Sequence, residues 1–190
     1  MQDYIDIANK NGVTLYDKGK CQFCGADTKR GVHECLEVFN LGFSEIDFSE
    51  PENHLYRFLI VDAHTLQHPE IHGRWSNHFH LSRLHLIFKY HVKWTYAQSP
   101  RFSDYLNTYK ADKPDEYLNP PKPLERGEIT STDVLKYSAD ETECKQLITD
   151  WAVTVYNAWE GNLERVDRIA SGYLDKMGKL LVSGQRSNDR

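Results

Sequence analysis

No stretch of this 190-residue chain is both long and free of charge, so none reads as a membrane-spanning helix. Mean hydropathy is −0.66. The opening MQDYIDIANKNGV has acids where a leader peptide would need a basic flank and an apolar run, so no secretory signal is expected. Basic charge is short as well. The 23 Lys and Arg face 28 Asp and Glu, a net charge of −5 with a pI near 6.0, which gives no electrostatic reason to bind nucleic acid or an anionic membrane. Internal repeats, low-complexity tracts and convincing alternating strands are missing too. Histidine is missing from the whole second half: all 9 lie between His33 and His91. The expected compartment is cytoplasmic, where thiols stay reduced and structural disulfides are rare.

What remains is an ordinary globular composition, 39% hydrophobic and 27% charged, enough for one core. The periodicity predicts an all-α bundle of about five to six helices, and the Cys-x-x-Cys of CQFCG ahead of it reads as an N-terminal zinc-knuckle-like loop. We expect residues 1–20 to be a polar segment of one or two helical turns, 21–182 a single zinc-stapled helical domain, and 183–190 a disordered tail. A short helix is expected over 33–46. Ser49 followed by Glu52 reads as a capping box for the next, with Pro51 in its first turn and Pro69 as its stop. Further helices are expected over 77–94 and 100–109. KADKPDEYLNPPKPLERGE, with four prolines and a glycine, reads as a connector. Cys144, Leu147, Ile148, Trp151, Ala152, Val155 and Trp159 then repeat at helical spacing, and the period continues past Gly161 as one bent helix or two.

Residues 20–35, KCQFCGADTKRGVHEC, hold three of the 4 cysteines. A redox Cys-x-x-Cys belongs in a strand-to-helix turn beside parallel strands, and no strands are expected here. A zinc knuckle needs two thiolates that reach one ion at about 2.3 Å, which a two-residue gap permits. Gly25 allows the tight return. Cys21, Cys24 and Cys35 are therefore the candidate thiolate ligands of a Zn2+ ion. Cys144 sits on an apolar helix face and is expected in the core.

Four ligands close a structural zinc site, so a fourth is sought among the histidines. On spacing alone His33, His64, His68 and His80 all qualify. His33 is strained by its closeness to Cys35, while His64 and His68 stand four apart on one helix face. His78, His85 and His91 read as a solvated or partly buried stripe, and His54 and His72 carry no partner signal.

Several motifs form a recognisable set: VDAHTLQHP from Val61 to Pro69, the pair His80–Leu81, LNPP from Leu118 to Pro121, GEITSTDV, and DWAVTVYNAW from Asp150 to Trp159. Together with the cysteines they resemble a bacterial family known only as domain of unknown function 5946, over roughly residues 21–174. The resemblance implies no activity. It does imply which positions matter, since Cys21, Cys24, Cys35, His68 and His80 fall on the family's cysteines and histidines. His64 stands where the family pattern has Tyr, Tyr156 where it has Trp, and Arg57 near an absent family histidine. The implied metal set is Cys21, Cys24, Cys35 and His68, with His80 as runner-up and Asp62 as a hydrogen-bond acceptor for a ligating imidazole.

The expected function is a zinc-binding helical protein whose metal is structural and whose helical body meets a protein partner. Trp75, Trp94 and Trp151 are candidate core or interface anchors. The alternative is a metal-dependent hydrolase with an open coordination position and Asp62, His64 or His80 as base. Thiolate-rich coordination speaks against it, and HECLEV lacks the His-x-Glu of zinc deaminases. Arg83, Lys89, His91 and Lys93, with Phe88, Tyr90 and Trp94, make one locally basic helix, which a solvated face explains without nucleic acid.

Overall fold

A computed structural model describes residues 3–43, 47–136 and 140–187, with side chains as far as residue 178. Eight α-helices and no strand occur among the described residues: α1 (Asp3–Lys10), α2 (Gly31–Gly42), α3 (His54–Gln67), α4 (Arg74–Phe88), α5 (Gln98–Asp112), α6 (Ser131–Leu135), α7 (Glu141–Ala158) and α8 (Leu163–Ser187). The all-α expectation holds. The surplus over five to six comes from the eight-residue α1 and the five-residue α6, both too short for their period to stand out. The expected tail, 183–190, enters α8 as far as Ser187, and its last three residues lie outside those described, as do 44–46 of the helix expected over 33–46.

The main core lies where α3 packs on α7 and α4, with α4 also packing on α8. Leu59, Ala63 and Leu66 of α3 meet Leu81 and Leu84 of α4, and Ile148, Trp151, Ala152 and Val155 of α7. Cys144 joins this core at 1% exposure, as its apolar face requires. A second cluster, between α5 and α8, is built on Phe102, Leu106, Ile169 and Tyr173 and takes in Trp94. Thus Trp94 and Trp151 are core residues, while Trp75 is partly buried at the rim of the second cluster. The third cluster is small and separate: Ala8, Cys21, Phe23, Cys24, Ala26, Val32, Cys35 and Ile71.

Local chemistry sets the helix ends. Ser49 spends its hydroxyl and its N–H on Asp47 Oδ1, at 2.7 and 2.9 Å, so it forms a local turn instead of capping α3, which begins after a 3-10 turn at Pro51–Asn53. The true capping box lies in GEITSTDV, where Thr130 and Asp133 exchange bonds at the start of α6. Asp140 caps α7 by accepting from the Glu143 N–H at 3.0 Å. α4 stops six residues before Trp94 because His91 turns left-handed (φ 53°) and the Val92 N–H folds back onto the Leu86 carbonyl. At Gly161 the open question is answered by two helices, with a 3-10 turn at Glu160–Asn162 between α7 and α8.

The proline-rich connector does more than connect. Its Arg126 is 1% exposed and places its guanidinium on the Glu70 carboxylate at 2.5 and 2.8 Å. The same side chain donates to the carbonyls of Pro121 and Gln67. Gln67 answers by donating to the carbonyls of Arg126 and Ile129 and accepting from Trp151 Nε1 at 3.0 Å. Buried polar groups are tolerated when each finds partners, and this lattice locks the C-terminal end of α3 between the connector and α7.

Candidate metal centre

The knuckle is shaped by backbone. Cys21 and Gly25 close a turn, with the Gly25 N–H donating to the Cys21 carbonyl at 2.9 Å and the Cys21 N–H to Ala26 at 3.0 Å. Gly25 adopts φ 79°, the left-handed region that glycine enters without steric cost. Gly19 and Arg30 form a parallel bridge that joins the two ends of the loop. Gly31 opens α2 at φ 57°, where a Cβ would lie 2.2 Å from the Tyr16 carbonyl oxygen. Cys35 then rides on the second turn of α2, beyond the first-turn position at which the helix dipole acts most strongly.

His68 comes from the helical bundle. It caps the C-terminus of α3 (φ −126°, ψ 44°), where Pro69 forbids another helical turn. Its Nδ1–H donates to the His64 carbonyl at 2.7 Å, which leaves the Nε2 lone pair facing the sulfurs. The edge of Phe23 packs against the ring.

The structure brings Cys21, Cys24, Cys35 and His68 together, with one donor atom from each within 4.8 Å of all the others. Their exposures are 1, 7, 0 and 0%. His68 Nε2 lies 3.4 Å from both Cys21 Sγ and Cys35 Sγ, and Cys24 Sγ lies 3.7 Å from Cys35 Sγ. A tetrahedral zinc site with bonds of about 2.3 Å to sulfur and 2.0–2.1 Å to nitrogen has edges of about 3.8 Å between sulfurs and about 3.6 Å between sulfur and nitrogen. The donor set fits the ion in type, number and spacing. All four thiols of the chain, Cys144 included, are free.

Proton chemistry points the same way. Hydrogen bonds from Cys24 and Cys35 hold the Cys21 thiol far below its ordinary value, while hydrogen bonding to Cys21 and Cys24, with burial, pushes Cys35 far above. Burial opposes a charge on His68, yet the Cys24 and Cys21 sulfurs outweigh it and lift the imidazole to about 10. Three sulfurs this close cannot all ionise without a cation, and among the described residues a protonated His68 is the cation set against them. A divalent ion replaces those protons, so metal loading and proton release are linked.

The other candidates go elsewhere. His33 accepts from or donates to the Tyr4 hydroxyl at 2.6 Å, outside the cluster. His64 is buried and stacked between Phe39 and His68, at 3.8 and 4.2 Å, so it packs behind a ligand position without joining it. His80, the runner-up, donates to Asp62 at 2.5 Å. Asp62 thus serves His80 and Arg83; the partner of the His68 ring is a backbone carbonyl. The histidine stripe also divides: His78 and His85 are buried and His91 is exposed. His85 links Tyr156 at 2.8 Å to Asp167 at 2.9 Å, a bridge from α4 to α7 and α8 that no linear spacing announces.

These features define an all-helical protein with a buried Cys3His group able to hold a metal ion. The chain belongs to the family described as "Family of unknown function (DUF5946)", whose profile matches residues 19–160. That span takes in all four donor residues and ends just past α7, leaving α8 beyond it. No curated protein and no solved structure matches the chain.

Proposed function

We propose that a Zn2+ ion held by Cys21, Cys24, Cys35 and His68 has a structural role, joining the N-terminal knuckle to the helical bundle, and that the bundle so completed is an interaction module for a protein partner. The burial of all four donors carries the zinc reading. A closed thiolate-rich site gives its ion no position for substrate, and a hydrolase would need one. The knuckle also has little else to hold it, since its apolar cluster is small and separate from the main core. Structural zinc in isolated small modules contributes on the order of 10 kcal/mol to folding.

The partner reading draws on apolar side chains left at the surface. Leu124 is 64% exposed beside the knuckle, where its N–H donates to the Phe23 carbonyl at 2.8 Å. It holds φ 69°, a left-handed conformation that costs a leucine roughly 1–3 kcal/mol. Its position depends on a folded knuckle, so the reading predicts partner capture that a chelator abolishes.

Metal analysis of purified protein with X-ray absorption tests the site: one zinc per chain with three sulfurs and one nitrogen is expected. Cys24→Ser should lose the ion and unfold the knuckle, seen as loss of amide protection over residues 19–35. A Cys24→Ser protein that keeps zinc, or a metal-free wild type that keeps the protection, would sink the proposal.

A further inference from the structure

A cavity of about 350 Å3 opens between α2 and α3, and none of its lining residues belongs to the cysteine group. Arg57, Ile60 and Val61 stand three and four apart on α3, so helical geometry puts them on one face. Phe39, in the last turn of α2, and Phe43, which caps that helix, line the cavity from the other element. Phe48 adds a third ring. Phe43 and Ile60 are only 8% and 3% exposed, so they form the floor. The rings are held from behind. Phe39 stacks on His64 at 3.8 Å and Phe43 on Trp151 at 6.4 Å, while Phe39 and Phe43 meet edge to face at 6.4 Å.

One cation stands at this apolar cleft. Arg57 is exposed, and its guanidinium lies over the Phe48 ring, 5.4 Å from the centroid. The chain carries more acids than bases, yet among the described residues no carboxylate pairs with Arg57. Contact with an aromatic face holds an arginine in place and leaves its five N–H donors unused. That planar fork matches a carboxylate through two parallel hydrogen bonds. Asn40, also exposed at the cavity, adds an amide donor and acceptor.

We propose that this cavity binds a small aromatic carboxylate, with the ring against Phe39, Phe43 and Phe48 and the carboxylate on Arg57. The volume is at the low end of the roughly 300–1,000 Å3 typical of small-molecule sites, which suits one compact ring system better than a long chain. Flat rings pack well on fixed aromatic walls, in offset or edge-on contact. The apolar walls supply affinity, and the single fork of Arg57 selects an acid over its neutral analogue. Leu124 lies outside the cavity, so the site is distinct from the surface assigned to a protein partner. The proposal also stands independently of the role assigned to the cysteines.

The test titrates the full-length protein, as purified, with 2-naphthoate and phenylpropanoate, followed by amide-resolved NMR. Each acid should bind saturably and shift the amides of Phe39, Phe43 and Val61. The neutral 2-naphthamide and the aliphatic octanoate should both bind about tenfold or more weakly than 2-naphthoate. Arg57→Gln should lower the affinity for 2-naphthoate to that of 2-naphthamide and leave 2-naphthamide binding unchanged. That unchanged binding shows an intact cavity, so the loss cannot come from unfolding. Asn40→Trp, which fills the mouth from an exposed position, should block both ligands. No saturable binding of either aromatic acid overturns the proposal. So does equal affinity for acid and amide, octanoate that binds as tightly as 2-naphthoate, or acid binding that survives Arg57→Gln or Asn40→Trp.

Discussion

Gln67 shows how much a single side chain can hold. It sits inside QHP, next to His68, and its amide meets three buried groups: the carbonyls of Arg126 and Ile129 and the indole N–H of Trp151. Trp159 adds a fourth bond nearby, donating Nε1 to the Leu66 carbonyl at 3.1 Å. Replacing Gln67 with Leu keeps the bulk and strands these partners, at about 1–3 kcal/mol for each group left unsatisfied. The three losses overlap, so urea denaturation should show a net drop of about 2–4 kcal/mol. A Gln67→Leu protein as stable as wild type would mean the lattice is ornamental. At this scale the sequence was informative about type and silent about pairing. Cys21, Cys24 and Cys35 could be named because two thiols separated by two residues, with a third close behind, are chemically distinctive, whereas His68 stood out from the other histidines only through the resemblance to the family. Arg126 and Glu70, which stand 56 apart in the chain, could not be paired, because no local pattern links a loop arginine to a particular acid.

Between elements, Asp167 pins α4 to α8. Its Oδ1 accepts from Lys89 Nζ at 2.7 Å, Tyr90 OH at 2.8 Å and His85 Nε2 at 2.9 Å. The bond from Lys89, then that from His85, holds this carboxyl well below the usual carboxylate range. The sign of the linkage follows. A carboxylate depressed in the folded state stabilises the fold above its unfolded pKa, about 3.9, and loses that contribution as pH falls below it. Melting temperature should therefore decline as pH drops below about 4, and Asp167→Asn should flatten that acid limb while lowering the plateau above it. Equal acid limbs in the two proteins would remove the pin. Helices α4, α7 and α8 were legible as periodic runs, since an amphipathic face is written at fixed spacing. Their ends were less so. Ser49 had the spacing of a cap, but Asp47 was closer to its hydroxyl than any helical N–H. α4 ended early because the backbone at His91 reverses, which is a conformational choice that side-chain spacing does not encode.

The molecule as a whole is two unequal parts: a bundle with its own large core, and a knuckle that α1 and the turn at Pro69–Ile71 help to cover. If zinc joins them, its removal should loosen one part and spare the other. Trypsin with a strong chelator should cut faster at Lys18, Lys20, Lys29 and Arg30, all exposed around the knuckle, than trypsin alone. Cleavage within α7 should stay slow in both. Uniform acceleration along the chain would instead make the ion a keystone of the entire fold, and no change would leave it without a structural role. No helix among the described residues is long and apolar enough to cross a membrane.

The order of residues was enough to define an all-helical chain, its family and three thiols that belong together, because periodicity, proline stops and thiolate spacing are local properties; the fourth member, His68, came with the family pattern. Three-dimensional packing alone sent His80 to Asp62, His33 to Tyr4 and His85 to Asp167, partners that the sequence did not indicate for His33 or His85. An imidazole has no spacing preference strong enough to select its partner. Which carboxylate, carbonyl or sulfur it meets is settled by where two distant helices cross and by the cost of leaving a buried polar atom alone.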